Sequence, residues 1–376
     1  MKRVMVIAGE ASADLHAGKM IQAVHRLDPD ITFFGIGGVT MRKAGFNALV
    51  DSKDLAVVGL VEVLAHRKVI FGALDRMREI LQTDPPDLLV LIDYPDFNLR
   101  LARTAKEVGV KVLYYIGPQV WAWRQKRVHT IRERVDMMAV VFPFEETFYK
   151  RFDVPVEFVG HPLTDELETA ADLPALKLEF GLDPGKRTVG LFPGSRHSEI
   201  KRLLPIILES ANRLYQSRQD IQFILPVAST LSQADIQPAL SKYNFPVTII
   251  ESRSHEVIQT CDVIVTVSGT VTLEIALYGI PQVIINKVSW LTYAIVSRML
   301  KIPYIGLCNI VADAQVTPEL IQHKATPENI TREINKLLDD NAHYQTVKAG
   351  LGTIKARLGA GGGINNIARL LVKMLG

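Results

Sequence analysis

The stretch "MKRVMVIAGEASAD", Met1–Asp14, has the outline of a secretory leader, with two bases ahead of a short apolar run. Glu10 and Asp14 interrupt that run before a leader's apolar region can form, so the stretch reads as a first β-strand and not as a leader. Gly9, Glu10 and Ser12 then fall in a strand-to-helix turn, with Ser12 and Asp14 as candidate helix caps.

Working outward, short β-rich apolar runs alternate with helical patterns along the whole chain, the mark of parallel sheets with crossover helices. The first half holds "RVMVIA", "TFFGIG", "LLVLID", "KVLYYI" and "MMAVVF". After "EFVGHPLTDEL" comes "TAADLPALKLEFGLDPGKR", rich in Pro, Gly and charge and expected to be a linker. The alternation restarts with "TVGLFPG", "IQFILP", "VTIIE", "VIVTVSG" and "QVIIN". The expected architecture is α/β, with two lobes at 1–165 and 166–359 whose parallel sheets face a central cleft. A final amphipathic helix, about 360–376, follows a Gly run and is free to pack back on the first lobe.

Composition narrows the function. The 376 residues carry a net charge of only +3 despite 43 bases, which argues against a nucleic-acid protein. Cys261 and Cys308 lie in apolar segments without metal-ligand spacing and read as buried small residues in a reducing compartment. No HExxH, GxSxG or DxD-type carboxylate pair in a metal-binding turn occurs, so neither a metal nor a cofactor is expected. No apolar run is long enough to span a bilayer. In Leu55–Arg78, Val57, Val58, Leu60, Val61, Val63 and Leu64 are followed by His66, Arg67 and Lys68. A core helix explains the apolar part, and an interfacial segment on anionic lipid explains the bases as well.

The polar motifs fall at strand ends, where open parallel sheets bind ligands. "LIDYPDFN" sets Asp93, Asp96 and Asn98 around Pro95. Asp93 follows five apolar residues at a sheet edge, where desolvation raises basicity, and is the candidate general base. "LFPGSRHSEI" runs from a strand through Gly194, Ser195 and Arg196 into a helix whose N-terminus favours an anion. "VTVSGTVTLEIA" repeats the pattern with Ser268, Gly269 and Thr270, and Glu274 one turn in is placed to take ribose hydroxyls. Two such helix starts in one lobe imply a diphosphate ligand. His161 in "VGHPL" is either a cleft or a hinge residue. "GPQVWAWRQKRVHTI" sets Trp121 and Trp123 beside Arg124, Lys126 and Arg127. Stacking on single-stranded nucleic acid, contact with a sugar phosphate, and plain packing all fit that pattern.

Taken together, "AGEASAD", "GLVEVL", "IDYPDFN", "PQVWAWRQKR", "PFE" before "FY", "FVGHPL", "PGSR" before "EI", and "SGTVTLE" resemble the lipid-A-disaccharide synthases in order and spacing, from about Gly9 to Asn309. The resemblance implies a GT-B fold of two Rossmann-like lobes and an inverting glycosyltransferase. It would join UDP-2,3-diacylglucosamine to 2,3-diacylglucosamine 1-phosphate (lipid X), giving a β(1→6) disaccharide and UDP. Carried over by position, Asp93 deprotonates the acceptor 6-hydroxyl and Arg196 neutralises departing UDP. Gly194, Ser195, Ser268, Gly269, Thr270, Glu274 and Asn309 attend the nucleotide. Gly9, Glu10, Ser12, Asp96, Asn98, Trp121, Arg124 and His161 line the acceptor side. Val57, Val58, Leu60, Val61, Val63, Leu64, Arg67 and Lys68 would meet the lipid surface.

The resemblance further implies a cytoplasmic enzyme held peripherally on the inner membrane of a Gram-negative bacterium, with no nucleic-acid partner and room for a homodimer. Two departures stand out: Ala13 where the family usually has Gly, and Cys308–Asn309 where Pro–Asn is more common. The nearest rival is another GT-B enzyme using UDP-GlcNAc, such as a peptidoglycan-type glucosaminyltransferase or a UDP-sugar epimerase.

Overall fold

The computed structural model describes residues 2–55, 67–290, 293–294, 302–359 and 361–376. Two compact units divide it, Met1–Asp165 with Leu358–Gly376, and Glu166–Arg357. Among the described residues of the first unit, seven strands form one sheet: β1 (Arg3–Ala8), β2 (Thr32–Gly37), β3 (Asn47–Asp51), β4 (Leu88–Ile92), β5 (Lys111–Tyr115), β6 (Met137–Val140) and β7 (Val156–Phe158), in the order β3-β2-β1-β4-β5-β6-β7. In the second unit, β8 (Arg187–Phe192), β9 (Ile221–Val227), β10 (Thr248–Glu251), β11 (Val263–Val267), β12 (Gln282–Asn286) and β13 (Glu319–Ile321) lie in the order β10-β9-β8-β11-β12-β13. The strand neighbours pair in parallel in both sheets. Each sheet is therefore Rossmann-like, with the chain reversing its winding between β1 and β4 and again between β8 and β11.

Burial explains why these runs are strands. Leu88–Ile92 and Val263–Val267 are buried at every position, as strands covered by helices on both faces must be. The edge strands β3, β7 and β13 are only partly buried and lack such a run. The expected linker holds a helix, Leu173–Glu179, because Asp172 caps it by accepting from the Ala175 N–H at 3.0 Å and Pro174 sits in its first turn. Its Leu176 joins Phe180 and Leu182 in the second unit's core.

Ser12 and Asp14 do not cap the first helix, which already begins at Ala11. Asp14 is buried and serves a neighbour, its carboxylate accepting from the N–H groups of Gly38 (2.6 Å), Thr40 (2.9 Å) and Met41 (3.2 Å) at the start of the helix Val39–Lys43. Ala13 lies within that first helix, where its backbone needs no glycine. The last helix, Gly363–Leu375, packs on Ala11–Leu27, and the Asp165 carboxylate holds its start by accepting from the N–H groups of Gly362 and Ile364.

Replacing Asp14 by Ala leaves three N–H groups without their acceptor. Denaturant unfolding of Asp14→Ala is expected to show a loss of roughly 2–3 kcal/mol, and an unchanged midpoint would refute the capping role.

Candidate functional site

In the first unit the reversal point lies between the carboxyl ends of β1 and β4. Gly9 follows β1, and a Cβ there would meet the Tyr94 ring at 2.9 Å, so a bare backbone is what lets that ring lie across the turn. Asp93 follows β4. It and Tyr94 both take left-handed backbone angles, φ 47 and 45, as does Ile116 beyond β5, φ 53. For a residue with a side chain that conformation costs roughly 1–2 kcal/mol. At Asp93 three hydrogen bonds, each contributing about 1 kcal/mol, are enough to offset it. Its carbonyl accepts from the Tyr114 hydroxyl and from the Asn98 amide, both at 2.6 Å, and its N–H donates to the Ile116 carbonyl at 3.2 Å.

The Asp93 side chain is half-buried. Burial, and behind it the Glu10 carboxylate, push its carboxyl above the ordinary aspartate range, while the Tyr94 N–H opposes the shift by hydrogen bonding. Glu10 and Ser12 are exposed.

The neighbouring loops settle the aromatic and basic residues. Trp121 is buried, donates through Nε1 to Glu145 at 3.0 Å and meets the Phe144 ring edge-on. Trp123 is the exposed one, with the Arg124 guanidinium 4.2 Å from its ring centroid. The Trp121 indole N–H is thus committed to a buried carboxylate. Arg127 pairs with Asp96. Asn98 is wholly buried and its amide nitrogen is spent on the Ile92 and Asp93 carbonyls, so it supports the turn from beneath. His161 is buried against Phe142, accepts from the Leu163 N–H, and is driven down to about 3 by burial with help from His16, which leaves it neutral.

In the second unit the reversal point lies between β8 and β11, and there the sequence motifs converge. Gly194, Ser195 and Arg196 after β8 and Ser268, Gly269, Thr270 and Glu274 after β11 line one cavity of about 360 Å³. Gly194 has φ 103, and a Cβ on it would come within 2.2 Å of a Glu199 oxygen, so glycine is required on both counts. That Glu199 carboxylate accepts from the N–H groups of Ser195 (3.0 Å) and Arg196 (3.3 Å) and from the Arg196 guanidinium (2.9 Å). Arg196 is mostly exposed, so the pair contributes little stability. Its value is orientation, at the start of the 21-residue helix His197–Ser217. Ser268 donates to the Ile305 carbonyl, and Glu274 lies 3.6 Å from His255.

Asn309 does not join this cavity. Its amide nitrogen donates to the Thr317 carbonyl and to Glu319, and its oxygen accepts from the N–H groups of Val316 and Thr317, which exhausts both donors and both acceptor positions. Ser254, Pro226 and Ala228 also line the cavity and were missed, although strand-end position could have flagged them. The importance of Glu199 was also legible, since a carboxylate three residues into a helix is a capping signal.

Among the described residues, no group of three or more His, Cys, Asp or Glu is placed to hold a metal ion, and no helix is long and apolar enough to cross a membrane. Val57, Val58, Leu60, Val61, Val63, Leu64 and His66 lie outside the described residues, as does the Arg67 side chain. Lys68, Val69 and Phe71 on the helix Arg67–Thr83 are exposed, and Arg100 stacks over Phe71.

Two Rossmann-like units, one with a desolvated aspartate at its reversal point and the other with an anion-friendly cavity, define the architecture of GT-B glycosyltransferases and their relatives. Solved structures with this fold include the UDP-GlcNAc 2-epimerase of Neisseria meningitidis bound to UDP-GlcNAc (TM-score 0.65, 13% identity, 99% of this chain and 100% of that one). The calicheamicin glycosyltransferase CalG4 is another (TM-score 0.63, 13% identity, 100% and 98%). The sequence is closer to a single group: the lipid-A-disaccharide synthetase family model matches residues 4–361. The lipid-A-disaccharide synthase of Geobacter sulfurreducens is 55% identical over 374 residues, covering 100% of this chain and 97% of the relative. The chain belongs to the lipid-A-disaccharide synthase family.

Glu145 is pushed up to about 7 by desolvation, against the opposing hydrogen bonds from the Phe142 N–H and the Trp121 indole, and its burial has a pH test. A carboxyl raised above its unfolded value stabilises the fold below about pH 4.5, and that contribution is lost as pH rises through about 7. Wild-type unfolding free energy should therefore fall by roughly 3 kcal/mol across that window relative to Glu145→Gln, and parallel pH profiles for the two proteins would exclude the assignment.

Proposed function

We propose that this enzyme transfers the diacylglucosaminyl group of UDP-2,3-diacylglucosamine to the 6-hydroxyl of 2,3-diacylglucosamine 1-phosphate, with inversion, in the synthesis of the lipid A disaccharide. Family membership over the full length supports the reaction. The observation that carries the assignment of roles is the desolvated, conformationally held Asp93 at the first unit's reversal point.

Asp93 accepts the proton of the acceptor 6-hydroxyl as that oxygen attacks the donor's anomeric carbon. The bond from that carbon to the UDP oxygen breaks, its electron pair leaves with UDP, and the α-linked donor becomes a β(1→6) disaccharide. Because UDP departs as a stable anion, no second carboxyl group is needed to protonate it, unlike the leaving group in glycoside hydrolysis. Arg196 and the start of the helix His197–Ser217 meet the charge that develops on the diphosphate, which takes the place that the Glu199 carboxylate holds on the Arg196 guanidinium and the Ser195 and Arg196 N–H groups. No metal or other cofactor is required by this scheme. Glu274 takes the ribose hydroxyls, with Ser268, Gly269 and Thr270 around it. Glu10, Ser12 and Arg124 attend the acceptor, and Arg124 and Lys126 are the cations for its 1-phosphate, Arg127 being paired with Asp96.

Both substrates carry acyl chains, and the enzyme works peripherally on the cytoplasmic face of the inner membrane. The apolar segment 57–64, with Arg67 and Lys68, is the contact. Exposed Val69 and Phe71 beside Lys68 support that choice. Association as a homodimer is compatible with it.

UDP release in detergent micelles with both acylated substrates tests the roles. Asp93→Asn is expected to lower turnover by roughly 100-fold or more with UDP binding retained, and substantial activity in that variant would remove the base assignment. Arg196→Ala should weaken both turnover and UDP affinity, and unchanged values would remove its role. The wild-type rate is expected to fall as pH drops through the raised Asp93 value, because only the carboxylate can accept the proton.

A further inference from the structure

Among the groups around Asp93, Tyr114 is the one that neither the motifs nor the proposed chemistry explains. It lies on β5, wholly buried, and a buried hydroxyl ordinarily marks a hydrogen bond the fold depends on. Its single hydrogen bond as donor goes to the main-chain carbonyl of Asp93 at 2.6 Å. The Asn98 amide reaches the same carbonyl at 2.6 Å from the first turn of the helix Pro95–Glu107. Two donors on one carbonyl, one from a neighbouring strand and one from the following helix, converge where the backbone is left-handed at Asp93 and again at Tyr94. Residues without a glycine's freedom stay in that region only where the surroundings over-determine it.

We infer that Tyr114 is a positioning residue for the transfer reaction: its buried hydroxyl, together with the Asn98 amide, clamps the Asp93 peptide and so aims the Asp93 carboxylate at the acceptor hydroxyl. The inference rests on the assignment of Asp93 as the base. Without the clamp the turn relaxes toward ordinary backbone angles, and the carboxylate moves away from its half-buried position. Misplacement of a reacting group by about 1 Å costs up to roughly 100-fold in rate. The charged and titratable groups around the turn are Glu10 at the end of β1, Asp96 and Tyr94 on its own segment, and Arg127 across from Asp96. None of them is altered by removal of the Tyr114 hydroxyl.

The test compares Tyr114→Phe, Asn98→Ala, Asp93→Asn and Tyr114→Phe/Asp93→Asn by micellar UDP-release kinetics over pH, with thermal unfolding as the check on folding. Tyr114→Phe keeps the ring and is expected to lower kcat by roughly 10- to 100-fold with KM for both substrates little changed. It should also move the acid limb of the kcat profile to lower pH, as Asp93 gains solvent. Added to Asp93→Asn, the same change should cost nothing more. Asn98→Ala should move the acid limb in the same direction, which keeps the test decisive if one variant folds poorly. A folded Tyr114→Phe with wild-type kcat and an unmoved limb, while Asp93→Asn is inactive, overturns the clamp and leaves the base in place. An active Asp93→Asn overturns the base itself, and the clamp with it. Equal losses from Tyr114→Phe in both backgrounds would make the tyrosine a general structural residue and also overturn the inference.

Discussion

A parallel sheet whose strand order reverses partway has to open at the reversal. The connections that follow the two central, parallel strands lead away in opposite directions, to helices on opposite faces, and a crevice is left beyond the carboxyl ends. In this chain that happens twice, between β1 and β4 and between β8 and β11. Each crevice collects groups that cannot be paired within the sheet: an aspartate after β4, helix starts after β8 and β11. The proposed chemistry draws on what these two gaps expose.

The two crevices are tuned in opposite electrostatic directions. Around Asp93 the environment disfavours charge, through burial and a second carboxylate, so the group holds a proton more readily than an ordinary aspartate. Around Arg196 the backbone and the guanidinium favour negative charge. In the structure that preference is met by Glu199, which occupies the N–H groups of Ser195 and Arg196 and fills the space over Gly194. One unit is thereby suited to taking up a proton and the other to receiving an anion, the two events that a glycosyl transfer from a nucleotide couples.

Much of this was legible in the sequence because buried parallel strands write themselves as uninterrupted apolar runs. Leu88–Ile92 and Val263–Val267 could be read without ambiguity, and with them the strand ends that carry Asp93 and Ser268. The half-buried edge strands β3, β7 and β13 carry no such run and were not recognised. The helix Leu173–Glu179 was taken for linker because Pro and Gly outweighed the Asp172 cap in a composition-based reading. Side-chain destinations were less accessible still. Trp121 and Trp123 are two residues apart and chemically alike, yet one anchors on Glu145 in the interior and the other lies under Arg124 at the surface. Which is which depends on the short helix Val120–Trp123 and on a carboxylate more than twenty residues away. The partners of Asn309 are likewise supplied by a turn that the local sequence does not announce.

The last helix of the chain has an implication for how the molecule is made. Ile367, Ala368, Leu370 and Leu371 are buried in the first unit, where the helix they belong to lies along Ala11–Leu27. A ribosome delivers that helix only after the entire second unit has been synthesised. The first unit is therefore the earliest to begin folding and the last to be completed, waiting throughout elongation with an apolar flank uncovered, while the second unit has all of its own residues in hand sooner. Nascent-chain quality control would meet this protein at that uncovered flank.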